Sequence, residues 1–497
     1  MTRQPMPLAD LLAQVPHSAV IGKTGVTIQG VHCDSRRCEP GDLFAAINGF
    51  KQDGRTYAAE AVGRGARAVL AQGSPPAGWD HDTPWIISPR DRDAFSAACA
   101  AVYGTRETPV LAVGVTGTNG KTTTAYLLRA IFQLAGRAGM LGTIEYDDGS
   151  GLVPAPRTTP EADEVHRWLS RLADGDISYG VMEVSSHSLA LSRVRDVRFK
   201  AAAFTNLTRD HLDFHKTMDN YYLAKRNLFG LLSDDGTAVV NIDDPYGMRL
   251  AQELDARKLL RVGGGPPAHV YPKEAELDLE GIRCRLATPW GEVAVNSPLV
   301  GHFNLQNILV AAGTALAAGA PKSAVEAGIR GLKGVPGRLE RVECGQPFSV
   351  FVDYAHTDDA LKNLLATVRG IGTKRIITLF GCGGDRDRTK RPLMGAVVAR
   401  QSDVIVLTSD NPRSERPEAI ADDVEKGLRP ELGPDKKYLR VLDRRLAMRR
   451  AFEEAREGDI VVLAGKGHER VQIRDGKETP FHDPTVAREE LGELGWR

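Results

Sequence analysis

The chain has 497 residues, of which 42% are hydrophobic and 26% charged. These proportions are typical of a globular protein, and the length predicts about three domains. Lys plus Arg and Asp plus Glu each number 64, so overall charge favours neither a nucleic-acid nor a membrane partner. The six scattered cysteines complete no zinc site, which indicates reduced thiols in the cytoplasm. Asp10 interrupts the apolar residues near the start, and no apolar run approaches the ~20 residues of a membrane span, so we expect no signal peptide and no membrane insertion.

Residues 1–105 are predicted to form a small α/β unit. Apolar runs at 43–47 and 68–71 indicate strands, and a polar, glycine-rich connection at 48–55 lies between them. The segment 34–37 (Asp-Ser-Arg-Arg) precedes the first of these strands. Its arginines and serine could hold a phosphorylated group, because Arg offers forked donors and Ser a hydroxyl. Taken alone, these residues fit a solvated polar loop better than a phosphate site.

A glycine loop at 117–122 (Gly-Thr-Asn-Gly-Lys-Thr) follows a buried strand pattern at 110–116 and precedes a helical pattern. This context is typical of a phosphate-binding loop, in which backbone N–H groups and the helix N-terminus face the phosphate oxygens. Lys121 would reach the β- and γ-phosphates, and the Thr122 hydroxyl could ligate Mg²⁺. The first glycine of the full Walker A motif is missing, since Val115 stands there.

The central unit, predicted over 106–334, has further strand patterns at 179–184, 201–206 and 238–243 that alternate with helices. That rhythm predicts a mostly parallel sheet, in which ligands bind at the carboxyl ends of strands. Glu183 and His211 stand near two such ends and are candidates for binding Mg²⁺. Lys225, on a predicted helix, could be a site residue or a surface lysine. Asn304 could bind a base edge or cap the helix that follows.

The third unit, predicted over 335–497, has strand patterns that again alternate with helices, at 349–353, 375–380, 403–407 and 459–463. We expect a Rossmann-like, doubly wound α/β domain without a Gly-x-Gly-x-x-Gly fingerprint. Four strand ends carry polar clusters, at 353–356, 383–388, 410–413 and 465–469. Four coincident clusters indicate one shared pocket whose arginines and carboxylates suit a zwitterion, although four solvated loops remain the alternative.

Several segments together carry a resemblance to a known family. They are Val115-Thr-Gly-Thr-Asn-Gly-Lys-Thr-Thr, Met182-Glu-Val-Ser-Ser-His, Thr205-Asn-Leu-Thr-Arg-Asp-His-Leu-Asp, Tyr222-Leu-Ala-Lys225, Val352-Asp-Tyr-Ala-His-Thr, Phe380-Gly-Cys-Gly-Gly-Asp-Arg and Ala464-Gly-Lys-Gly-His-Glu. Over essentially its whole length the chain resembles the Mur ligases of bacterial peptidoglycan synthesis. The segment 410–413 (Asp-Asn-Pro-Arg) is similar to the signature of their meso-diaminopimelate-adding subgroup.

The resemblance implies three α/β domains: a UDP-sugar-substrate-binding domain at 1–105, a P-loop-type ATPase domain at 106–334 and a Rossmann-like amino-acid-binding domain at 335–497. It also implies a cytoplasmic monomer that uses ATP and Mg²⁺. ATP would phosphorylate the D-Glu γ-carboxylate of UDP-N-acetylmuramoyl-L-alanyl-D-glutamate, and an amine of meso-2,6-diaminopimelate would then displace the phosphate.

Three alternatives stay open. The first is an L-lysine-adding ligase of the same family. Arg413 argues against it, because lysine has no second carboxylate to pair with this guanidinium. The second is a folylpolyglutamate synthetase-like ligase, which the segment 34–36 disfavours. The third is a non-catalytic nucleotide-binding or scaffold protein, which the set Lys121, Glu183, His211 and Lys225 disfavours.

The resemblance assigns site residues as well. Catalytic roles fall to Lys121, Glu183, His211 and Lys225. The implied metal ligands are Thr122, Glu183, His211 and Lys225, the last modified to a carbamate. The implied ATP contacts are Gly117, Thr118, Asn119, Gly120, Lys121, Thr122, Thr123, Asn304, Arg338 and Asp353. The UDP-N-acetylmuramoyl-dipeptide contacts are Ser35, Phe50, Lys51, Gln52, Thr158, Thr159, Ser185 and Arg193. The diaminopimelate contacts are Arg386, Asp410, Asn411, Pro412, Arg413, Gly465 and Glu469.

Overall fold

A computed structural model describes residues 4–49, 52–80, 82–372 and 374–496. The chain divides into two compact units. The first contains the residues up to Tyr271 together with Thr288–Gly291 and Leu309–Gly328. The second contains Pro272–Ala287, Glu292–Ile308 and the chain from Ile329 onward. The domain boundaries after residues 105 and 334 stay a prediction. Among the described helices, none combines the length and apolarity needed to cross a bilayer.

The first unit opens with a five-stranded sheet of order β2-β7-β6-β5-β4, parallel except for β2. Its elements, with the short β1–β3 pair, are β1 (Met6–Pro7), α1 (Leu8–Leu12), β2 (Ala19–Ile21), β3 (Thr27–Ile28), β4 (Gly30–His32), β5 (Asp42–Ala46), α2 (Ala58–Gly63), β6 (Ala68–Ala71), β7 (Trp85–Ile87) and α3 (Asp91–Val102). The two strands predicted here are confirmed as β5 and β6. Every residue of both is buried, as expected of parallel strands covered on two faces.

An eight-stranded sheet of order β11-β10-β9-β12-β8-β13-β14-β15 follows in the same unit. Its elements are β8 (Leu111–Thr116), α4 (Lys121–Ala135), β9 (Ala138–Leu141), β10 (Glu145–Asp147), β11 (Leu152–Pro154), α5 (Ala162–Asp174), β12 (Tyr179–Glu183), α6 (Ser186–Ala190), β13 (Phe199–Phe204), α7 (Leu212–His215), α8 (Met218–Arg226), β14 (Leu232–Asn241), α9 (Pro245–Glu253) and β15 (Leu259–Val262). The sheet is parallel except for β10, which is antiparallel to both of its neighbours.

The order of the sheet brings the predicted site segments together. Strand β8 lies between β12 and β13, with Val115 paired to Glu183 and Thr116 paired to Phe204. The carboxyl ends of three parallel neighbours therefore meet beside the glycine loop, at the edge where ligands bind in such sheets. The large side chains that pack against these strands are buried; they include Trp168, Phe199, Phe204 and Tyr222.

The chain continues through a three-stranded sheet and two helices. These elements are β16 (Tyr271–Asp278), β17 (Gly281–Ala287), β18 (Val293–Ser297), α10 (His302–Ala317) and α11 (Lys322–Gly331). Strands β17 and β18 are antiparallel, and buried residues alternate with exposed ones along both. That alternation is typical of a sheet with one solvated face.

The second unit is built on a six-stranded sheet of order β19-β20-β24-β21-β22-β23, parallel except for β19. Its elements are β19 (Glu340–Val342), β20 (Ser349–Asp353), α12 (Asp358–Gly370), β21 (Ile376–Phe380), α13 (Lys390–Gln401), β22 (Val404–Leu407), α14 (Pro417–Leu428), β23 (Lys437–Arg440), α15 (Arg444–Glu454), β24 (Ile460–Ala464), β25 (Val471–Arg474), β26 (Lys477–Pro480) and α16 (Asp483–Glu493). The four polar clusters predicted from the sequence follow β20, β21, β22 and β24. These strands are contiguous in the sheet, so the four clusters lie at one edge, and their union in one shared pocket stays a prediction.

Candidate active site

The glycine loop joins β8 to α4 in a conformation that requires glycine at both ends. Gly117 has φ +149°, and a Cβ there would lie 1.8 Å from Thr205 Oγ1. Gly120 has φ +85° and precedes the first residue of α4. The N–H groups of Thr118 and Asn119 donate to the Asn206 main-chain and side-chain oxygens at 2.8 and 2.9 Å. The loop is thus held against the end of β13, and the start of α4 presents the N–H groups that the predicted phosphate site needs.

Two lysines share one carbonyl of this loop. Lys121 Nζ donates to the carbonyls of Gly117 and Thr118 at 3.0 and 2.9 Å. Lys225 Nζ, from the end of α8, donates to the same Gly117 carbonyl at 2.6 Å and is only 1% exposed. Burial, assisted by the charge of Lys121, lowers the pKa of Lys225 well below the usual value for lysine. The surface-lysine alternative for Lys225 is therefore wrong.

Glu183, the last residue of β12, is a fully buried carboxylate. Its Oε2 accepts the Thr122 hydroxyl at 3.0 Å and the Thr143 hydroxyl at 2.9 Å, while Oε1 accepts the Thr143 N–H at 2.8 Å. These three donors hold the carboxylate beside the first turn of α4. A carboxylate and a hydroxyl side by side are oxygen donors of the kind that Mg²⁺ prefers, so these residues fit the predicted metal role.

His211 lies at the start of α7 with φ +51°, in a cluster of aromatic and imidazole rings. Its ring centroid is 4.8 Å from that of His187 and 6.1 Å from that of Tyr221, and its Nε2 lies 3.4 Å from Asp210. Burial lowers the pKa of both His187 and His211, which keeps the imidazoles neutral and able to act as ligands. Within the described chain, no three His, Cys, Asp or Glu residues converge as a ready-made metal site.

Four residues predicted to contact the dipeptide lie in segments that meet near the end of β12. The Thr159 hydroxyl donates to the Glu183 main-chain carbonyl at 2.7 Å, and Thr158 Oγ1 lies 3.2 Å from Thr143 Oγ1. Ser185 Oγ caps α6 by accepting the Ser188 N–H at 3.1 Å. The Arg193 guanidinium donates to the Thr159 carbonyl at 3.0 Å. The fold thus brings Thr158, Thr159, Ser185 and Arg193 into one neighbourhood.

The predicted nucleotide contacts near the chain start are less clearly organised. Ser35 is buried and donates to Glu60 Oε2 at 2.8 Å, while the exposed Gln52 accepts from the Tyr57 hydroxyl at 2.8 Å. Phe50 and Lys51, also predicted here, lie outside the described residues. Hydrogen bonds within the segment therefore already use the Ser35 hydroxyl, so its role in substrate binding stays a prediction.

Three residues predicted to contact ATP belong to the second unit. Asn304, the third residue of α10, donates through Nδ2 to the Val300 carbonyl at 2.9 Å, so the alternative of a helix cap is wrong. The Arg338 guanidinium lies over the Tyr354 ring at 4.7 Å from its centroid. The Asp353 carboxylate accepts the N–H groups of Leu339 and Ala355.

The strand ends of the second unit bring the predicted acceptor residues together. A Cβ on Gly383 would lie 2.9 Å from Arg413 Nη1 and 3.8 Å from Arg386 Cγ, so both arginines approach this glycine. Arg413 has φ +53° and donates to the Gly384 carbonyl at 2.8 Å. Gly384 allows the chain to pass close to Pro412, whose carbonyl oxygen lies 1.9 Å from the position of a Cβ there.

Asp410 and Glu469 supply the carboxylates of this neighbourhood, and the Asn411 amide lies between the two loops. Asn411 Nδ2 donates to Glu469 Oε2 at 2.7 Å, which joins the end of β22 to the loop after β24. A Cβ on Gly465 would lie 2.7 Å from Asp410 Oδ2. Arginines and carboxylates thus occur at one edge of the sheet, the arrangement that a zwitterionic ligand requires.

Two supporting residues were missed in the sequence. Thr143, between β9 and β10, supplies two of the three donors to Glu183. Lys466, fully buried, donates to Asn411 and Glu469. Lys466 lies inside a segment that the sequence did single out, so its position was available as a signal. Thr143 follows a short strand that no pattern predicted.

Comparison with known proteins places the chain among its relatives. Three family models match it: the Mur ligase middle domain at 115–315, the Mur ligase glutamate ligase domain at 337–467 and the Mur ligase family catalytic domain at 27–98. A protein of Solibacter usitatus named UDP-N-acetylmuramoyl-L-alanyl-D-glutamate–2,6-diaminopimelate ligase is 46% identical, over 99% of each chain. The chain belongs to the Mur ligase family. A Geobacter metallireducens protein of the same name is 44% identical, over 96% of this chain and 97% of its own.

Solved Mur ligase structures share the fold of this chain. One of a UDP-N-acetylmuramoyl-L-alanyl-D-glutamate–2,6-diaminopimelate ligase matches with a TM-score of 0.71 at 31% identity, covering 99% of this chain and 100% of that one. The MurF ligase of Thermotoga maritima in complex with ADP shares the fold, with a TM-score of 0.62 at 17% identity, covering 94% and 96% of the two chains. The predicted three-domain α/β Mur ligase fold is confirmed. The roles of individual site residues stay predictions.

Proposed function

We propose that this Mur ligase is an ATP-dependent amide ligase that adds meso-2,6-diaminopimelate to the D-Glu γ-carboxylate of UDP-N-acetylmuramoyl-L-alanyl-D-glutamate in peptidoglycan precursor synthesis. The observation that carries the proposal is the 46% identity, over 99% of each chain, with a ligase of that name. Cytoplasmic location and a monomeric state remain predictions.

The first step transfers a phosphoryl group. An oxygen of the substrate γ-carboxylate attacks the γ-phosphorus of ATP, the new O–P bond forms, and ADP leaves with the electron pair of the bond that breaks. Two anions must approach each other, so the step needs cations fixed in advance. Lys121 at the start of α4 provides one, and the positive end of the α4 dipole adds to it. Thr158, Thr159 and Arg193 would orient the γ-carboxylate of the substrate.

Mg²⁺ is the predicted metal of this site. The Glu183 carboxylate and the Thr122 hydroxyl, 3.0 Å apart, supply oxygen donors at the foot of the phosphate loop. Mg²⁺ commonly takes only one or two protein ligands, with phosphate and water completing the shell. The donor set therefore fits one of two predicted Mg²⁺ ions, while His211 would help to hold the other and the carbamate of Lys225 would be a further ligand. When bound, the metal would neutralise charge on the phosphate oxygens.

Carbamylation of Lys225 is consistent with its surroundings. The lowered pKa favours the neutral amine, whose nitrogen lone pair can attack the carbon of CO₂; one proton leaves to solvent and an anionic carbamate forms. The reaction places an anion near the Lys121 ammonium, where an opposite charge is favoured. Burial of the side chain protects the product from exchange with bulk water.

In the second step the amine of the acceptor attacks the acyl carbon. The C–N bond forms, the C–O bond to phosphate breaks, inorganic phosphate leaves, and the amine gives its proton to solvent. Arg413 suits the distal carboxylate of diaminopimelate, because a guanidinium binds a carboxylate through a forked pair of donors. The distal end of lysine carries an ammonium and would be repelled. This difference favours diaminopimelate over lysine.

The test is phosphate release from ATP and UDP-N-acetylmuramoyl-L-alanyl-D-glutamate, run with meso-diaminopimelate, with L-lysine and with no amino acid. We expect release with diaminopimelate only. Release with lysine would keep the ligase and reject the role of Arg413. No release with any acceptor, from folded protein that binds ATP, would reject the proposed reaction.

A further inference from the structure

A buried lysine lies inside the loop that follows β24. Lys466 is 0% exposed and is flanked by two glycines with positive φ, Gly465 at +113° and Gly467 at +51°. A Cβ on Gly467 would lie 2.7 Å from Tyr354 Cβ. Only glycine permits this backbone and this close approach, and the two turns direct the intervening lysine inward.

All three N–H donors of the Lys466 ammonium have acceptors within reach. Nζ lies 3.2 Å from Asn411 Oδ1, 3.0 Å from Glu469 Oε2 and 2.7 Å from the Val471 carbonyl. The ammonium thus joins the end of β22, the loop after β24 and the start of β25. A buried charge is stable only when it is paired and hydrogen-bonded, and here both conditions are met.

These bonds fix the orientation of the two polar side chains. The Ile473 N–H donates to Asn411 Oδ1 at 2.9 Å, which sets which end of the amide faces Lys466. Asn411 Nδ2 and Lys466 then both donate to the same oxygen of Glu469, Oε2. Among the described residues Glu469 Oε1 has no hydrogen-bond donor, and the side chain is 29% exposed. One carboxylate oxygen is thereby anchored and the other is presented to a ligand.

Another buried cation of the same unit shows what a purely structural pair looks like. Arg444 and Asp483 are both fully buried, and Arg444 Nε donates to Asp483 Oδ1 at 2.9 Å. Neither side chain of that pair keeps a group that could bind a ligand. The Lys466 pair differs because its carboxylate partner is partly exposed and keeps an oxygen for another donor.

We infer that Lys466 is a positioning residue of the acceptor pocket, which holds Asn411 and Glu469 so that Glu469 Oε1 receives an ammonium group of the incoming amino acid. The inference rests on the proposed function and goes beyond it, since Lys466 acts through Glu469 and need not touch the substrate. Removal of the Lys466 ammonium should therefore weaken binding of the amino acid and leave binding of ATP and of the nucleotide substrate unchanged.

The experiment compares the full-length wild type with Lys466→Met, which keeps the length of the side chain and removes its charge. Lys477→Met, on the exposed strand β26, is the matched control. Phosphate release is measured while each of the three substrates is varied in turn. We expect Lys466→Met to raise the KM for meso-diaminopimelate by about 10-fold or more, with the other two KM values changed by less than about 2-fold. Lys477→Met should match the wild type.

A second variant keeps the test decisive if Lys466→Met fails to fold. Lys466→Met combined with Glu469→Gln removes both charges together and leaves no unpaired buried charge. Because Lys466 acts through Glu469, the double variant should have nearly the diaminopimelate KM of Glu469→Gln alone. A diaminopimelate KM of the double variant far above that of Glu469→Gln alone, or an equal rise of all three KM values in Lys466→Met, would overturn the inference. Absence of turnover in the wild type would reject the proposed function itself, and with it the acceptor role of Lys466.

Discussion

Replacing Lys225 by alanine tests the chemistry of the phosphate loop most directly. Lys225 Nζ lies 2.6 Å from the Gly117 carbonyl and 4.7 Å from the centroid of the Tyr221 ring, so the removed atoms lie at the centre of the site. If the side chain acts as a carbamate, Lys225→Ala removes one anion from the metal site. Loss of a single preorganised electrostatic contact costs about 10²–10³ in kcat, equivalent to about 2.7–4 kcal/mol.

A substitution at the neighbouring residue serves as a control that distinguishes loss of folding from loss of catalysis. Arg226, the next residue of α8, pairs with Glu253 at the surface, and Arg226→Ala should keep full activity. Thermal unfolding of Lys225→Ala should remain cooperative, because the substitution also removes an ammonium that burial disfavours in the folded state. The assay is phosphate release at saturating substrates, repeated with added formate, acetate or propionate.

We expect short carboxylates to restore part of the activity of Lys225→Ala, since they can occupy the space of the deleted side chain and supply its charge. Activity within about 3-fold of the wild type would refute the carbamate role, because a metal ligand is worth more than that. Rescue by alkylamines in place of carboxylates would refute it too, because it would show that the site needs a cation.

Three further predictions address single contacts. Arg413→Ala should raise the KM for diaminopimelate about 100-fold and change the KM for ATP little. Arg416 is exposed, and Arg416→Ala should change neither KM. Equal effects of Arg413→Ala on both KM values would show that Arg413 does not belong to the acceptor pocket. Thr143→Val should lower kcat about 10-fold because it deletes a hydroxyl donor to Glu183, whereas Thr143→Ser should keep activity, and similar losses in the two variants would contradict this role. Burial lowers the pKa of His166 to about 3, so below its unfolded-state pKa near 6.5 only the unfolded chain gains the proton, and stability falls as the pH drops. Urea unfolding should therefore show that the wild type loses about 2 kcal/mol more than His166→Gln between pH 8 and pH 5, and an identical loss in both proteins would disprove it.

The sequence was sufficient to predict the strand, glycine loop and helix around residues 110–135 and the position of Glu183. Both follow from local patterns and one topological rule: a short apolar run becomes a buried strand, and neighbouring parallel strands end at the same edge. The four polar clusters of the second unit were predicted on the same grounds. Family resemblance then supplied candidate roles that the patterns alone could not.

The contacts that hold these residues in place could not be predicted. Lys225 donates to the Gly117 carbonyl, 108 residues earlier in the chain, and no sequence periodicity predicts such a contact. Its surface-lysine alternative followed from the usual exposure of lysine, which tertiary packing overrode. Strands β10 and β11 were missed because they are only three residues long, and β11 is exposed throughout. Thr143 lies beside them and was missed for the same reason.

The bonds of Lys121 within its own loop have a consequence for the energetics of turnover. Its ammonium already donates to two loop carbonyls, so a phosphate oxygen bound in the proposed role competes with them for the N–H donors. The contribution of Lys121 to nucleotide binding is then an exchange of partners, and the net free energy of that contribution is the difference between two charge-assisted bonds. Such an exchange lowers the affinity for nucleotide. It also makes dissociation of ADP easier, because the loop carbonyls accept hydrogen bonds from Lys121 again when ADP leaves. A ligase that must release three products each cycle gains turnover from a cation that is never bound too tightly.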